Sequence, residues 1–551
     1  MPAPASPMAR TLLWFGVSGV LALSLLVPLA ASGAPAAAVG VIVRYEASAT
    51  AATETVRDLG GTVTRRLGII NALQVRLPAS ELARLRGSQG IAAVTRDARV
   101  SLFGDADDRD DDEDPRWKAD RDLGSLYSVS KSAGVHAAWD RSDARGHSIT
   151  GRGIGVALID SGVAPVAGLD DGRVVNGPDL SFESQADNLR HLDTFGHGTH
   201  MAGIISGRDA KVKDGQEDNP RHFVGVAPDS TLLSVKVASS DGATDVSQVI
   251  AALDWVVQHR DDDNLNIRVI NLSFGTQSTQ SYVLDPLAYA VEVAWRKGIV
   301  VVVSAGNDGN GTDTLSNPAV DPYVIAVGAA DHQGTQRRTD DTVATFSSRG
   351  SAARAPDLVA PGRSIVSLRD PGSSIDQEHP SAIVTMPGDD NGARLFRGSG
   401  TSQSAAFVSG VAALLLQQRP ELSPDDVKRL LTSTADPITG TDPRLEGAGL
   451  LDVRAAIKAA TPTTAPQDWE RANGTGSLEA ARGGSHVTDP ENGTELVGEQ
   501  DIFGQAWDGR SWAEASWAGR SWAGGDWNGR SWAGRSWAGY GWARGSWPAS
   551  P

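Results

Sequence analysis

Short apolar runs alternate with helical patterns over residues 117–460. The apolar runs have the composition of strands that are buried on both faces. Between two of them, Val, Ile and Leu recur at three- and four-residue spacing over 246–257, which indicates a helix. This alternation predicts an α/β fold, a mainly parallel sheet with helices on both faces. The predicted strands are 154–159, 231–237, 269–272, 299–303 and 324–327.

Residues 39–102 carry a separate pattern. Strands are predicted at 39–46, 61–67, 71–77 and 91–94, and helices at 49–59 and 80–86. The order β-α-β-β-α-β is that of a small α+β, ferredoxin-like domain. Because this unit lies between an apolar N-terminal segment and the α/β region, we interpret it as a propeptide.

Residues 1–34 are typical of a secretory signal. Arg10 precedes the nearly uninterrupted apolar segment 12–29, and small residues follow it. Since the apolar segment approaches the length that spans a bilayer, an uncleaved membrane anchor is the alternative. The signal interpretation predicts a secreted, extracellular protein.

Two further segments have the composition of linkers. Within the segment 103–116, residues 104–115 contain eight acidic residues and one arginine, and a like-charge block of this density is solvated and open to cleavage. A calcium-attracting segment is the alternative for this block. Residues 461–500 are rich in Thr, Pro, Gly and Asn, which predicts a second, polar linker.

Residues 501–551, the tryptophan tail, repeat a unit close to Gly-Arg-Ser-Trp-Ala. A period of five places successive tryptophans on different faces of a helix and on alternate faces of a strand. Spaced tryptophans suit contact with a glycan, a lipid interface or another protein. We predict contact with the cell surface or cell wall, and the alternative is an extension with no specific partner. The repeated residues are Trp507, Trp512, Trp517, Trp522, Trp527, Trp532, Trp537, Trp542 and Trp547.

Composition narrows the class of protein. The chain has 551 residues, enough for more than one folding unit, and a formal net charge of −17. The acidic balance argues against nucleic acid as the main partner, because nucleic-acid binding normally needs a basic surface. There is no cysteine, which excludes disulfides and thiolate metal sites.

Three motifs carry candidate chemistry. Asp160 ends the run GVALIDSG, His197 lies in GHGTHMAG, and Ser402 lies in GTSQSAAFVSG. A carboxylate, an imidazole and a hydroxyl in this chain order are one known arrangement of a hydrolytic triad. His200 is the competitor for the base, but a helix that starts near Gly196 would present His197 to a cleft and turn His200 into packing.

Acyl transfer also needs donors for the developing oxyanion. Asn307, in SAGNDG after the strand predicted at 299–303, offers a side-chain amide. The backbone N–H of Ser402, at a helix N-terminus, is the candidate second donor. The assignment of Asn307 depends on the triad, since Asn before Asp-Gly is otherwise a common turn residue.

These motifs resemble the subtilase family of subtilisin-like serine endopeptidases, over about 340 residues. Further matching blocks are GVAPDSTLLSVKV, INLSFG, VVVSAGN, NPAVDPYVIAVGA, FSSRG and PDLVAPG. The resemblance implies that Asp160, His197 and Ser402 form the triad and that Asn307 is the oxyanion donor. It also implies an inhibitory role for the 39–102 unit and two walls of the first specificity pocket. One wall is Ser273, Phe274 and Gly275, which also pairs with substrate backbone, and the other is Ser304, Ala305 and Gly306.

The chain departs from the family pattern in three places. Gln403, Ser404 and Ala406 stand where the family usually has Met, Ala and Pro, and a buried Gln403 needs a hydrogen-bond partner or some exposure. A charged insertion at 208–223 replaces the usual calcium loop. We therefore expect no cofactor for catalysis, while a structural calcium ion stays open with no identifiable site. A polar insertion at 369–397 is expected to be surface decoration, and the alternative is that it borders the cleft.

Together these features predict a secreted serine endopeptidase that is made as a self-inhibited precursor. It would act on polypeptides through an acyl-enzyme intermediate, with its own propeptide as intramolecular inhibitor. Small residues around the pocket favour broad specificity with an apolar preference next to the scissile bond, and a histidine base favours neutral to alkaline pH. The rival hypothesis is an exported adhesion protein built on an inactive protease scaffold.

Overall fold

The structure is a computed structural model in which the described residues form two compact units. The first contains 38–66 and 72–96, and the second contains the described residues from Trp117 onward. The segments expected to be the signal and the acidic linker lie outside the described residues, as does the tryptophan tail beyond Trp507. The described residues are 38–46, 48–67, 72–96, 117–184, 186–311, 313–384, 393–463, 465–488, 495–502 and 506–507.

The first unit is an antiparallel sheet with two helices. Its sheet has the order β2-β3-β1-β4, and Val43 pairs with Leu73 on one side and Val94 on the other. Alternate residues of β3 are buried in a small apolar core with Val56 of α1. The predicted order of elements is confirmed. The elements are β1 (Ala38–Tyr45), α1 (Ala49–Asp58), β2 (Thr62–Leu67), β3 (Ala72–Pro78), α2 (Leu82–Arg86) and β4 (Ile91–Arg96).

The second unit contains the large parallel sheet that the apolar runs predict. The strand order is β11-β10-β9-β8-β5-β7-β6, and β12 also pairs with β10. Among the described residues, the strands of this sheet pair in parallel, except that β10 and β11 are antiparallel. The strands are β5 (Gly155–Asp160), β6 (Val174–Asp179), β7 (Thr231–Lys236), β8 (Ile267–Leu272), β9 (Val300–Ser304), β10 (Ile325–Asp331), β11 (Thr342–Val343) and β12 (Leu358–Pro361).

The order of these strands places the end of β5 at a switch point. β5 lies between β7 and β8, so the chain segments that leave these two neighbours flank its carboxyl end. Ligands and catalytic groups of open α/β sheets gather at such points. β5, β8 and β9 are buried along almost their whole length, which explains why their sequences are continuous apolar runs.

Helices cover the sheet, and a second small sheet lies beside it. The three strands of the small sheet have the order β13-β15-β14. The longest helix, α9, is buried over nearly its whole length. These elements are α3 (Leu126–Ala133), α4 (His136–Trp139), α5 (His197–Ser206), α6 (Val246–His259), α7 (Pro286–Arg296), β13 (Ile365–Leu368), α8 (Ser374–Glu378), β14 (Ile383–Val384), β15 (Leu395–Gly398), α9 (Thr401–Gln418), α10 (Pro424–Ser433), α11 (Pro443–Glu446), α12 (Val453–Lys458) and α13 (Leu478–Arg482).

The segment expected to be a polar linker, 461–500, differs from that expectation. It contains α13, whose Leu478 and Ala481 are part of the main apolar core. Trp507, the first tryptophan of the repeat, is 8% exposed and belongs to the same core. The polar composition hides these contacts because the buried groups are few and widely spaced. None of the helices formed by the described residues is both long and apolar enough to span a bilayer.

Candidate active site

The carboxylate of Asp160 and the imidazole of His197 are in direct contact. Asp160 is the last residue of β5 and is 5% exposed. His197 opens α5 after Gly196, whose φ of 100° lies in the left-handed region that favours glycine. His197 Nδ1 lies 2.8 Å from Oδ1 and 3.0 Å from Oδ2 of Asp160. This contact favours a proton on Nδ1 and leaves Nε2 as the nitrogen that can accept one.

The surroundings of His197 favour its charged form. Burial lowers the pKa of His197, but the charge and hydrogen bond of Asp160, followed by the charge of Asp193, outweigh it. The pKa of His197 is therefore raised above its ordinary value. An imidazolium that forms during a reaction would be stabilised at this position.

His200, the competitor for the base, lies one turn further along α5 and is buried. Its ring packs edge-on against Phe396, with the ring centroids 6.5 Å apart. Burial lowers the pKa of His200 to about 3, and the charge of His197 contributes to this shift. His200 is thus a neutral packing residue, and the geometry places His197 beside the carboxylate.

A second carboxylate, Asp193, lies behind the first. Asp193 is 3% exposed and accepts hydrogen bonds from Gly196 N and Thr199 N, both at 2.7 Å. It also accepts one from Ser161 Oγ at 2.7 Å, while that hydroxyl lies 3.3 Å from Asp160 Oδ1. Burial raises the pKa of Asp193, and these donors oppose the rise. Asp193 thereby ties the start of α5 to the end of β5.

The insertion at 369–397 contacts the loop before His197, and the expectation of simple surface decoration is wrong. Ser374 N donates to Thr194 O at 3.1 Å, and Ile375 N donates to Phe195 O at 3.0 Å. A β-carbon on Gly196 would lie 2.4 Å from Ser373 Oγ, so Gly196 is required by its neighbour as well as by its φ. The insertion therefore fixes the backbone that presents the imidazole.

The hydroxyl of Ser402 lies at the start of α9. Ser402 is the second residue of this helix and is 8% exposed. Its Oγ donates to Ser273 O at 2.8 Å. Among the described residues this is the hydrogen bond that the hydroxyl makes, so a rotation of the side chain must precede any contact with His197. Catalytic hydrogen bonds of this kind often form only when substrate is bound.

Asn307 is oriented by the residue before Ser402. Its Oδ1 accepts from Thr401 N at 2.9 Å and from Thr401 Oγ1 at 3.1 Å, which fixes the two ends of the amide. A β-carbon on Gly400 would lie 3.5 Å from Asn307 Nδ2 and 3.7 Å from Ser402 N. Two N–H donors thus border the same space beside Gly400, the arrangement that an oxyanion needs.

The two predicted walls meet at a residue that the sequence analysis did not single out, Ser316. A β-carbon on Gly275 would lie 2.8 Å from Ser316 Cβ, and one on Gly306 would lie 2.4 Å from Ser316 Oγ. Ser316 N also donates to Ala305 O at 3.0 Å. Both walls are therefore glycine-lined where they approach Ser316, while Phe274 packs half-buried against the core.

A buried polar chain connects the first wall to α9. Asn271 Nδ2 donates to Ser273 Oγ at 2.7 Å, and Ser409 Oγ donates to Asn271 Oδ1 at 2.9 Å. All three side chains are at most 5% exposed. Unpaired polar groups would be costly at this depth. These hydrogen bonds therefore fix α9, the helix that carries Ser402, against β8.

Family comparisons agree with the motifs. The model of the "Subtilase family" of peptidases matches residues 151–476, which is more than half of the chain. The chain belongs to the subtilase family. It is a subtilisin-like serine endopeptidase, and residues 26–97 match a model described as "Putative peptidase inhibitor domain". The subtilase match includes every residue of the candidate site.

Three relatives of this subtilase come from Bacillus species. It is 37% identical to the serine protease AprX of Bacillus subtilis (strain 168) over 318 residues, 57% of this chain and 68% of AprX. It is 33% identical to subtilisin DY of Bacillus licheniformis over 321 residues, 58% of this chain and 95% of that protein. It is 28% identical to subtilisin E of Bacillus subtilis (strain 168) over 416 residues, 74% of this chain and 85% of that protein.

The unusual serine motif of this subtilase fits its surroundings incompletely. Ser404 Oγ donates to Ala360 O at 3.0 Å, and Ala406 is fully buried. Gln403 is 7% exposed, and its Oε1 has no hydrogen-bond partner among the described residues. A β-carbon on Gly398 would lie 2.7 Å from Gln403 Nε2 and 3.3 Å from His200 Nε2, so both side chains crowd this glycine. The expected partner for Gln403 Oε1 is thus missing from the described part of the chain.

The charged insertion at 208–223 is held by ion pairs. Arg208 lies 2.7 Å from Asp229 and 3.2 Å from Asp214. Within the described ranges, no group of three or more His, Cys, Asp or Glu residues is arranged to hold a metal ion. Calcium binding by this subtilase stays a prediction without a site.

Two residues of the site escaped sequence reasoning for identifiable reasons. Asp193 stands four positions before His197, outside the GHGTHMAG motif and three residues before the N-cap Gly196, so no pattern marks it. Ser316 stands in a polar loop with no motif of its own. Its place in the site is seen only in the folded structure, where Gly275 and Gly306, which follow different strands, both lie next to it.

Proposed function

We propose that this subtilase is an exported, self-inhibited endopeptidase precursor that hydrolyses peptide bonds through Asp160, His197 and Ser402. The contact of 2.8 Å between His197 Nδ1 and Asp160 carries the proposal, because it orients the imidazole so that Nε2 can accept a proton. The donors of Asn307 and Ser402, which border one space beside Gly400, support it independently.

Acylation starts when the Ser402 hydroxyl turns from Ser273 O to His197 Nε2. Ser402 Oγ attacks the scissile carbonyl carbon, and its proton passes to Nε2. The negative charge that develops on the carbonyl oxygen is stabilised by Asn307 Nδ2–H and Ser402 N–H. His197 then gives the proton to the leaving amine nitrogen, the C–N bond breaks, and an ester remains on Ser402.

Deacylation uses the same groups in reverse roles. A water molecule attacks the ester carbonyl while His197 Nε2 takes its proton. The C–O bond to Ser402 breaks, the proton returns to Ser402 Oγ, and the carboxylic acid product leaves. Asp160 keeps Nδ1 protonated in both halves and stabilises the imidazolium.

The pocket supports broad specificity with an apolar preference next to the scissile bond. Its walls, Ser273–Gly275 and Ser304–Gly306, carry small side chains apart from Phe274, and none of these residues is charged. An apolar side chain would displace water from this space without leaving a charge unpaired. Cleavage-site profiling on a denatured protein would test this preference.

The 38–96 unit is proposed to inhibit the enzyme until it is removed. Its match to an inhibitor domain supports this role, and the acidic segment that follows it offers an accessible place for cleavage. We expect the wild-type chain to acquire a new N-terminus between residues 97 and 117, as measured by intact mass and N-terminal sequencing. Ser402→Ala should stay at the precursor mass, and its processing in a pure preparation would contradict self-cleavage.

A fluorophosphonate probe tests the triad. After removal of the first unit, wild-type enzyme should be labelled once, on Ser402, and Ser402→Ala and His197→Ala should lose labelling. Ser399→Ala is the matched control, because this serine lies in the same segment but outside the triad and should be labelled like wild type. Absence of labelling in the processed wild type would instead favour the rival, an adhesion protein on an inactive scaffold.

Export and surface contact are proposed on the terminal sequences. The charged start and apolar core of residues 1–34 support secretion, and the spaced tryptophans support contact with the cell surface. A deletion of 508–551 tests the second part, because Trp507 is buried in the enzyme and is kept. The shortened enzyme should keep its activity and move from the cell-wall fraction to the medium, and unchanged fractionation would refute attachment.

A further inference from the structure

The subtilase family match ends at Gly476, but the folded structure continues. Residues 477–488 and 495–502, here named the C-terminal arm, contain α13 and a pairing between Thr488 and Glu495. The arm packs against the chain that leaves β7 and the chain that leaves β8. These are the two segments that flank the end of β5, where Asp160 lies.

The arm first contacts the segment after β8, next to the pocket wall. Thr276 directly follows Gly275, and its Oγ1 donates to Ala481 O at 2.6 Å. Thr279 N donates to Ala480 O at 3.0 Å. A β-carbon on Gly483 would lie 2.0 Å from Gln277 O, so the backbones of the arm and of this segment are in close contact.

The arm also contacts the segment after β7 through a buried ion pair. Arg482 Nε donates to Asp245 Oδ2 at 2.6 Å, and Nη2 lies 3.3 Å from Asp245 Oδ1. Both side chains are fully buried. Asp245 is also the N-cap of α6, since its Oδ1 accepts from Ser247 N at 2.9 Å. Nearby, Ala243 packs against Val487, Leu496 and Ile502 of the arm.

The guanidinium of Arg482 is satisfied on every side. Besides Asp245, it donates to Gly498 O at 2.7 Å, to Gln500 O at 2.6 Å and to Glu479 at 3.3 Å. A buried charge is retained only with such partners, and removal of one member leaves the other uncompensated. Arg482 thus holds both parts of the arm on the residue that ends the segment after β7.

We propose that Arg482 is a positioning residue for substrate binding. Through it, the C-terminal arm fixes the segments after β7 and β8 relative to each other, and so sets the affinity for peptide residues that lie beyond the first pocket. Within the described part of the chain, no hydrogen bond or ion pair joins the arm to Asp160, His197 or Ser402, so the arm acts on binding and leaves the chemistry unchanged. The proposal rests on the proposed endopeptidase function.

The test compares a short ester, which occupies only the first pocket, with a peptide of four or more residues before the same scissile position. In processed Arg482→Met, KM for the peptide should rise about tenfold, since the segments that bind the longer substrate are no longer held in place. For the ester, kcat and KM should stay within about twofold. Arg482→Lys keeps the charge but not the paired geometry and should give an intermediate KM.

Arg208→Met is the matched control. Arg208 also joins a carboxylate, Asp229, and a backbone carbonyl, but it lies just beyond the C-terminal end of α5, the end opposite His197. Its loss should lower thermal stability without separating the two substrates. If Arg482→Met separates them no more than Arg208→Met does, the arm is only structural and the proposal is overturned.

Two further measurements keep the outcomes distinct. If Arg482→Met does not fold, Thr276→Val decides, because it removes a single hydrogen bond to the arm and should raise KM for the peptide alone by about threefold. An unchanged KM in Thr276→Val and Arg482→Lys would overturn the proposal. Fluorophosphonate labelling of Ser402 is followed in all variants, and a wild type that is not labelled would show that the endopeptidase function itself has failed.

Discussion

The carboxylates of Asp193 and Asp160 both contact the same hydroxyl group, that of Ser161. Ser161 Oγ is 2.7 Å from Asp193 Oδ1 and 3.3 Å from Asp160 Oδ1, and all three residues are buried. The same Asp193 accepts the backbone donors of Gly196 and Thr199 that begin the helix of His197. One carboxylate contacts the imidazole, and the second holds the two chain segments that bring this contact about.

The first prediction concerns Asp193→Asn. The amide keeps the shape but loses the charge that raises the pKa of His197, and its NH2 group cannot accept the backbone donors. We expect kcat/KM to fall about tenfold, and the acid limb of its pH profile to move to lower pH. Glu183→Gln serves as control, since this carboxylate pairs with Lys236 and should leave the limb in place. An unchanged limb in Asp193→Asn would refute the electrostatic role.

The second prediction is the pH dependence of the wild type. The base must be neutral, and the pKa of His197 is raised above its ordinary value, chiefly by Asp160 once the opposing effect of burial is overcome. Activity should therefore rise with pH through a midpoint above the ordinary histidine value of about 6.5. Burial raises the pKa of Asp370 to about 8, with the charge of Asp193 adding to the shift. Asp370→Asn should not move the limb of the pH profile that reports His197. This variant therefore distinguishes the titration of His197 from that of Asp370.

The second prediction has a loss-of-function counterpart in Asp160→Asn, which removes the carboxylate that contacts His197. The asparagine removes the charge that stabilises the imidazolium and favours the wrong tautomer of His197, which typically costs about 10⁴-fold in kcat. His200→Gln is the companion variant, because His200 is buried and neutral at working pH. It should retain kcat to within about tenfold. Equal losses in the two variants would argue against the assignment of the base.

The third prediction tests the oxyanion donors. Asn307→Ala removes the Nδ2 donor beside Gly400 and also the acceptor for Thr401 N. Loss of one such donor typically lowers kcat by about 10²–10³-fold with little change in KM. Asn307→Asp separates the two effects, since it keeps the acceptor but has no donor. If Asn307→Asp were as active as wild type, the amide would have no role in stabilising the oxyanion.

The fourth prediction concerns the unusual Gln403. Its Oε1 is buried without a partner among the described residues, and an unpaired buried acceptor costs about 1–3 kcal/mol. Gln403→Met replaces the amide with an apolar side chain of similar length. We expect the free energy of unfolding to rise by about 1 kcal/mol or more in denaturant titrations, with labelling of Ser402 unchanged. A loss of stability would show that the amide is better satisfied than the contacts indicate.

Some strands of the sheet could be predicted from their composition, and others could not. β5, β8 and β9 were predictable because strands buried on both faces must be continuous apolar runs. β6 was not, since it is only partly buried and its sequence, VVNGPD, contains glycine and proline. The choice of His197 over His200 as the candidate base followed from the start of one helix, and it is His197 that contacts Asp160.

The C-terminal arm could not be predicted from its composition. Its composition is that of a linker, and it is held by a fully buried Arg482, a residue type that is almost never buried unless paired. The partner, Asp245, lies 237 positions earlier in the chain, and no local pattern links the two. Asp193 likewise became recognisable only when β5 and α5 were brought together. Motifs were enough to select the three candidate triad residues, but they did not reveal the groups that hold the surrounding segments in place.

The burial of Trp507 extends the folded enzyme at least as far as this residue. Its backbone N–H donates to Glu499 O at 2.7 Å, and its ring belongs to the main apolar core. A proteolytic cut a few residues before Trp507 would take its ring out of the core and expose the apolar side chains that pack around it. A shortened form of the enzyme that is meant to stay folded must therefore retain this tryptophan.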